Sequence, residues 1–450
     1  MVKRFAFLLA GALLMLACIL PSAVTPTSLP PASTTTATPA AQITDTPVAA
    51  TDTPAADVTA TPEPGTAGPP EPPTSSPVPP SGARIPHLSP GQNFTVTFIK
   101  MLDASQGWAI GGLGGKSDHV FHSADGGLTW KDLTPPQPAS SDPQMPLKAT
   151  GFFMDNQKAW VAFYADAFGA RPTPPQDYIW YTTDGGASWQ YSALTDPALY
   201  VNEAYVPSDL FFVDAQHGWM MAHLGAGMNH DYYALLATTD GGVTWNALLT
   251  PENDNSQTQG GSKSGLAFIT PLNGWMTINY HGVVAIPYYF KTHDGGTTWE
   301  SVDLPAPPSL PHLFDQNQGY CDTNAPTFFT ITNVDLLVDC TQYTNNASLR
   351  KSFIYESSDA GTTWKVYDYP GGPLDFVNMT TAYALGRSIQ RSSDAGHTWV
   401  AVKTVNWDGQ FSFVDANTAW AVATDNGQLA LVKTTNGCVN WQEIKPKVAP

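Results

Sequence analysis

The octapeptide Ser123-Ala124-Asp125-Gly126-Gly127-Leu128-Thr129-Trp130 is followed by six further copies before the C-terminus. A repeat of that kind restricts a chain to folds built from stacked copies of one small unit. Six copies read Ser/Thr-x-Asp-x-Gly-x-Ser/Thr-Trp, with their acids at Asp125, Asp184, Asp240, Asp294, Asp359 and Asp394 and their indoles at Trp130, Trp189, Trp245, Trp299, Trp364 and Trp399. The seventh has decayed to Thr434-Thr435-Asn436-Gly437-Cys438-Val439-Asn440-Trp441. This is the chemistry of a hairpin turn: Asp accepts backbone N–H bonds one or two residues on, Gly supplies positive φ, and the hydroxyls add local bonds. The Trp opens the outgoing strand, where its ring is expected to pack under the turn.

A looser signature precedes each turn: an apolar residue, Asp or Asn two positions later, and an aromatic five beyond. It reads Met101/Asp103/Trp108, Phe153/Asp155/Trp160, Phe212/Asp214/Trp219, Phe268/Thr270/Trp275, Phe376/Asn378/Tyr383 and Phe413/Asp415/Trp420, with Ile331/Asn333/Val338 taken as the faint fifth copy. Each unit is therefore two hairpins, or four strands. Seven units between Asn93 and Val448 average roughly 51 residues, near the ~40–50 of a four-stranded propeller blade. An all-β, seven-bladed β-propeller is expected over residues 92–450, without long helices.

Upstream, Lys3 and Arg4 precede the apolar run Phe5 to Leu20, which reads as a signal peptide over residues 1–20. Met15-Leu16-Ala17-Cys18 resembles a bacterial lipobox and makes Cys18 the expected lipidation site; cleavage after Ala23 and a retained anchor are the alternatives. Residues 21–91 are dominated by Thr, Pro, Ala and Ser, and such a segment buries no core, so it reads as a disordered linker. A lipid-anchored or secreted protein of the bacterial cell envelope is the corresponding expectation.

The tandem octapeptides resemble the Asp-box, or bacterial neuraminidase repeat, of sialidases, family 74 glucanases, sortilin-type receptors and photosystem II assembly factors. The additional Asp-x-x-x-Gly-Trp element, at Asp103 to Trp108 and Asp214 to Trp219, is most similar to photosystem II stability/assembly factor-like propellers. That resemblance implies a non-catalytic extracytoplasmic scaffold that recognises a protein partner. With 38 Asp plus Glu against 20 Lys plus Arg, the net charge of −18 repels phosphate and argues against nucleic acid as a ligand. A monomer without cofactor or metal is expected.

The long irregular connections are the expected recognition surface, and Tyr164, Arg171, His230, Asp231, Tyr280 and His281 are its candidate residues. A glycan is the alternative ligand. Cys321 and Cys340 either form a disulfide or remain two buried thiols. The rival reading is a glycosidase. Arg84-Ile85-Pro86 is similar to the Arg-Ile-Pro element that opens sialidase domains, and such an enzyme needs two more arginines, a Tyr nucleophile with a Glu, and an acid/base Asp. Arg350 and either Arg387 or Arg391 are available, with no motif to place them.

Overall fold

The computed structural model describes residues 85–136, 147–165, 178–194, 199, 205–227, 230–253, 258, 260–279, 286–315, 319–343 and 348–450. The signal segment, Cys18, Arg84 and most of the linker lie outside them. Of the two units into which the chain divides, Glu71–Pro450 holds the propeller.

Seven antiparallel sheets follow one another along the chain. Blade 1 comprises Thr95–Met101, Gly107–Gly112, His119–Ser123 and Thr129–Asp132; blade 2 comprises Leu147–Phe153, Ala159–Ala165, Tyr178–Thr182 and Gln190–Ala193. Blade 3 is Val206–Phe212, Gly218–Gly227, His230–Thr238 and Asn246–Leu249, and blade 4 is Ser262–Phe268, Gly274–Asn279, Tyr288–Thr292 and Glu300–Val302. Blade 5 has Gly319–Thr323, Val334–Tyr343, Ser348–Ser357 and Lys365–Tyr369, with a short extra strand, Thr327–Phe328, beside the second. Blade 6 contains Leu374–Phe376, Ala382–Leu385, Ser388–Ser392 and Val400–Thr404; blade 7 contains Asp408–Phe413, Ala419–Asp425, Gln428–Thr434 and Gln442–Ile444. The described residues contain no long helix; a 3-10 turn spans Leu113–Gly115.

Blades 1, 2, 3 and 6 each bury a face against the next blade through one repeated device. The aromatic of the second strand stacks on the apolar anchor of the next blade: Trp160 on Phe212 at 3.7 Å, Trp219 on Phe268 at 3.6 Å, Tyr383 on Phe413 at 4.6 Å. Its polar atom then bonds across the interface, as with Trp160 Nε1 to the Gly241 carbonyl, Trp219 Nε1 to that of Gly295 and Trp420 Nε1 to that of Gly126. One indole thus supplies both apolar area and a satisfied donor. Gly218 shows why a small residue precedes the indole: a Cβ there would lie 2.4 Å from the Phe212 ring.

Closure of the ring joins blade 7 to blade 1. Gln410 Oε1 accepts the Ile99 N–H, the Ser412 hydroxyl accepts that of Met101, and Lys447–Val448 pairs in parallel with the outer strand of blade 1. Residues 85–91, assigned to the linker by composition, are docked on the propeller instead. His87 Nε2 meets the Thr134 carbonyl, the Leu88 N–H donates to Asp132, and the Gly91 N–H donates to the Val448 carbonyl.

Two expectations need correction. The fifth copy of the loose signature is Phe328/Thr330/Asp335, three residues before Ile331/Asn333/Val338, because the Phe329 and Thr330 N–H groups close the turn on the Asn333 carbonyl just as Leu102 and Asp103 close theirs on Gln106. Asp335 therefore stands where the other blades carry Trp or Tyr. The turn tryptophans are also less buried than a self-contained corner suggests. Trp130 is fully buried, whereas Trp189, Trp245, Trp299, Trp364, Trp399 and Trp441 are half-buried at the start of an outermost strand. Trp130 differs because Val448 and Ile444 pack over it.

Candidate binding cleft

The octapeptide carboxylates are spent on their own turns. Asp125 accepts bonds from the Ser123 hydroxyl (2.9 Å), the Thr129 N–H (2.9 Å) and the Thr129 hydroxyl (2.6 Å). Asp240, Asp294 and Asp394 repeat the last two contacts at the same distances with Thr244, Thr298 and Thr398. Asp184 and Asp359 make the same two contacts with Ser188 (2.9 and 2.5 Å) and Thr363 (2.8 and 2.6 Å). The hydroxyl bond first, and then the backbone N–H, hold Asp184, Asp359 and Asp394 down to about 2. Fully ionised and already saturated with donors, these groups are turn structure. Among the described residues no group of three or more His, Cys, Asp or Glu is placed to hold a metal ion.

Of the candidate loop residues, the structure describes the side chains of Tyr164 and Asp231. Tyr164 is half-buried and packs against the core shared by blades 2 and 3. Asp231 is buried, with its carboxylate 2.8 Å from His223 Nδ1 and accepting the Lys263 N–H, so it braces blade 3 against blade 4 and does not face a ligand. Arg171, Tyr280 and His281 lie outside the described residues, as does the side chain of His230. Cys321 and Cys340 form a disulfide between the first and second strands of blade 5. Ile85 and Pro86 of the Arg-Ile-Pro element lie at the rim, where the Pro86 carbonyl meets His119 Nε2 in the third strand of blade 1.

What the structure does bring together is a cleft of about 870 Å³ between blades 5 and 6. One wall is the face of Val334–Tyr343 that carries Asp335, Leu337 and Asp339, with Arg350 and Ser352 from the strand beside it. The opposite side is the connection Tyr369 to Leu374 and the tight Gly386-Arg387-Ser388 turn of blade 6. Their geometry explains the opening. Blade 5 has ten-residue second and third strands, whereas the hairpin of blade 6 turns after four residues and is low. The missing indole completes it: Phe376, the anchor of blade 6, meets Phe329 edge-on at 5.1 Å, and no ring from position 335 covers the gap.

Asp335 is only 5% exposed and receives no hydrogen bond among the described residues. Burial first, and then the charge of Glu356 directly opposite it in register, push its carboxyl up to about 7. Glu356 is itself engaged, 2.6 Å from His397 Nε2 and 4.0 Å from Lys365 Nζ. Four residues along the strand, Asp339 accepts the Ser352 hydroxyl. At the rim Arg387 is held by the Asp408 carboxylate at 2.9 Å, while Arg350 is exposed. The cleft thus unites Arg350 with Arg387; Arg391 instead sits over the Tyr383 ring on blade 6. Tyr369 points its hydroxyl at the carbonyls of Gly372 and Pro373, 3.0 Å from each, and burial raises its pKa well above the ordinary phenol value.

The sequence contained the signal for Asp335. Anchor and aromatic are separated by seven residues in every other unit, and Phe328 plus seven is 335, an acid inside the apolar run Val334-Asp335-Leu336-Leu337-Val338. No family model and no curated protein matches the chain. Among solved structures it is similar to a GH74 enzyme of Niastella koreensis, with 14% identity, coverage of 79% of this chain and 62% of that one, and a TM-score of 0.29. It is also similar to a polysaccharide lyase of family PL25, an ulvan lyase, at 10% identity over 82% and 97% of the two chains with a TM-score of 0.43. The Trypanosoma rangeli sialidase matches at 12% identity over 78% and 55%, with a TM-score of 0.42. These are likenesses at the level of the fold.

Proposed function

We propose that this chain is a non-catalytic binding scaffold of the cell envelope, tethered through a lipidated Cys18 and its Thr/Pro-rich linker, that recognises a protein partner through the cleft between blades 5 and 6. The observation that carries the reading is the cleft itself: an open, polar-lined groove on the face away from the saturated turns, built by a departure from an otherwise regular repeat. Its groups suit recognition better than glycoside cleavage. Asp335 and Asp339, four residues apart on an extended strand, are separated by about 13 Å, beyond the roughly 5–9.5 Å that glycosidase carboxyl pairs require. Tyr369 is committed to backbone carbonyls and disinclined to ionise. The resemblance to photosystem II assembly factor-like propellers supports the same scaffold role.

A glycoside hydrolase is favoured by one observation. Asp335 and Glu356 face each other across adjacent strands, and a carboxyl near 7 suits a general acid. Against it, Glu356 is bound to His397 and does not line the cleft. Incubating the full-length chain with a fluorogenic sialoside and a panel of aryl glycosides separates the readings. No turnover is expected, and turnover lost in Asp335→Asn would replace the scaffold with an enzyme. Pull-down from envelope extracts with the wild type and with Ser388→Trp, which blocks the cleft mouth, tests the partner. A captured protein lost in the variant is expected; one retained unchanged would move recognition elsewhere. Labelled palmitate should enter the wild type expressed in a bacterial host and not Cys18→Ser; equal labelling of both would overturn the tether.

A further inference from the structure

We propose that the cleft between blades 5 and 6 receives a guanidinium or ammonium group, presented by a basic side chain of the partner, against the buried carboxylate of Asp335. This deepens the scaffold reading and rests on it. Three observations lead there. Asp335 is nearly enclosed, lines the cleft, and has no donor of its own among the described residues, so its hydrogen bonds must arrive with whatever enters. An acid left in this state is retained at a cost, since the position is filled by an indole or phenol in the other six blades.

The charges around it select the sign of the visitor. Glu356 lies opposite Asp335, and Asp339 continues the same face of the strand toward the mouth. Among the described residues no ion pair reaches Asp335: His397 and Lys365 are on Glu356, Arg387 is on Asp408, Lys351 is 4.0 Å from Asp368, and Arg350 is exposed at the rim. Asp335 itself thus has no counter-charge among the described residues, whereas Glu356 has His397 and Lys365. A neutral hydroxyl would give Asp335 one bond and leave the repulsion with Glu356 in place. A guanidinium or ammonium supplies several donors and also relieves that repulsion. A bare metal ion is a poorer fit, because no third ligand gathers at this point. The overall charge of −18 further favours encounter with basic partners.

At the rim, exposed Arg350 leaves room for a carboxylate or carbonyl flanking the inserted group, so the complementary segment is a basic residue next to an acidic or polar one. Arg is the better match to Asp335, since its planar fork pairs with both carboxylate oxygens.

The test is fluorescence polarisation with the full-length chain and two labelled peptides that differ only in a central Arg or its neutral isostere citrulline. The Arg peptide is expected to bind at least tenfold more tightly. Asp335→Asn should erase that preference while preserving the fold, Ser388→Trp should weaken both peptides by obstructing the mouth, and Asp303→Asn, an exposed acid on blade 4, should change neither. Equal affinity for the two peptides, or an Arg preference that survives Asp335→Asn, overturns the proposal. Failure of the cation assignment stays distinct from failure of the scaffold reading. In the first case the partner captured from extracts is still lost in Ser388→Trp; in the second the glycoside panel is turned over.

Discussion

Replacing Asp335 by Asn should make the protein more stable at neutral pH and leave it unchanged in acid. The carboxyl titrates at about 7 in the fold against 3.8 when exposed, so folding must either keep a proton on a group that would rather lose it or bury the charge. A raised acid sets the sign. Below pH 4 both states are protonated and nothing is lost; between about 4 and 7 only the unfolded chain releases its proton, and stability falls; above 7 the loss is complete. A shift of roughly three pH units at 1.36 kcal/mol each gives about 4 kcal/mol. The charged and titratable groups nearest the site are Glu356 opposite, His397 and Lys365 on Glu356, Tyr367 stacked on His397, and Asp339 along the strand. All persist in the variant and cancel from the comparison. Urea unfolding of both proteins at pH 4 and pH 8 measures the double difference. The expected result is equal stability at pH 4 and a gain of about 3–4 kcal/mol for Asn at pH 8. A gain of the same size at both values would mean that the substitution acts through packing, and a gain near zero at pH 8 would mean that Asp335 is solvated.

Three further outcomes follow from the turns. Asp184, Asp359 and Asp394 are held down to about 2, so their contribution is present above pH 4 and is lost as pH falls toward 2; the melting temperature of the Asp335→Asn variant should therefore drop steeply only below pH 4. Ala360 and Ala395 occupy positive φ (55° and 62°) where other copies have Gly, and Ala395→Gly should raise stability by up to about 1 kcal/mol by removing left-handed strain, read as a higher urea midpoint. Trp130→Ala should lower stability by about 3–5 kcal/mol because the ring is fully enclosed, whereas Trp245→Ala, half-buried and edge-on to Phe212, should lower it by roughly half as much in the same unfolding assay.

The propeller was legible because the octapeptide carries its own conformational instructions. Ser or Thr, Asp, a positive-φ Gly and a hydroxyl four residues after the Asp close the turn mostly with local partners, the N–H after the Asp alone reaching the preceding turn, so the pattern survives without knowledge of the rest of the fold. The blade interfaces were legible for the aromatic positions and illegible at blade 5, where Ile331 imitates an anchor although the turn hydrogen bonds place it at the exposed tip. The cleft could not be found by looking for long loops. It is formed by short connections, Gly371-Gly372 and Gly386-Arg387, whose brevity leaves space, while Asp231 in a longer irregular stretch turned out to be bonded into the scaffold. Sequence reports what residues are; a cleft depends on what neighbouring blades fail to fill.

Blade 5 also holds the disulfide, and the two departures belong together. This blade gives up the indole that staples each neighbour to the next and accepts a buried acid, yet its first strand, Gly319–Thr323, is tied covalently to the second at Cys321–Cys340. Closing a loop across 19 residues restricts the unfolded chain and is worth about 3 kcal/mol, a magnitude comparable to the stability that Asp335 removes at neutral pH. Replacing both cysteines with Ser should therefore lower stability at pH 8 by about 3 kcal/mol, and adding Asp335→Asn should restore most of that loss. In the same double background at pH 4, where the acid is neutral in both states, Asn should restore nothing. Urea midpoints of the four proteins at the two pH values decide it: rescue at pH 4 as large as at pH 8 would separate the disulfide from the acid. Rescue confined to pH 8 would mean that the cost of the buried acid and the gain from the disulfide add, each offsetting the other in the wild type at neutral pH.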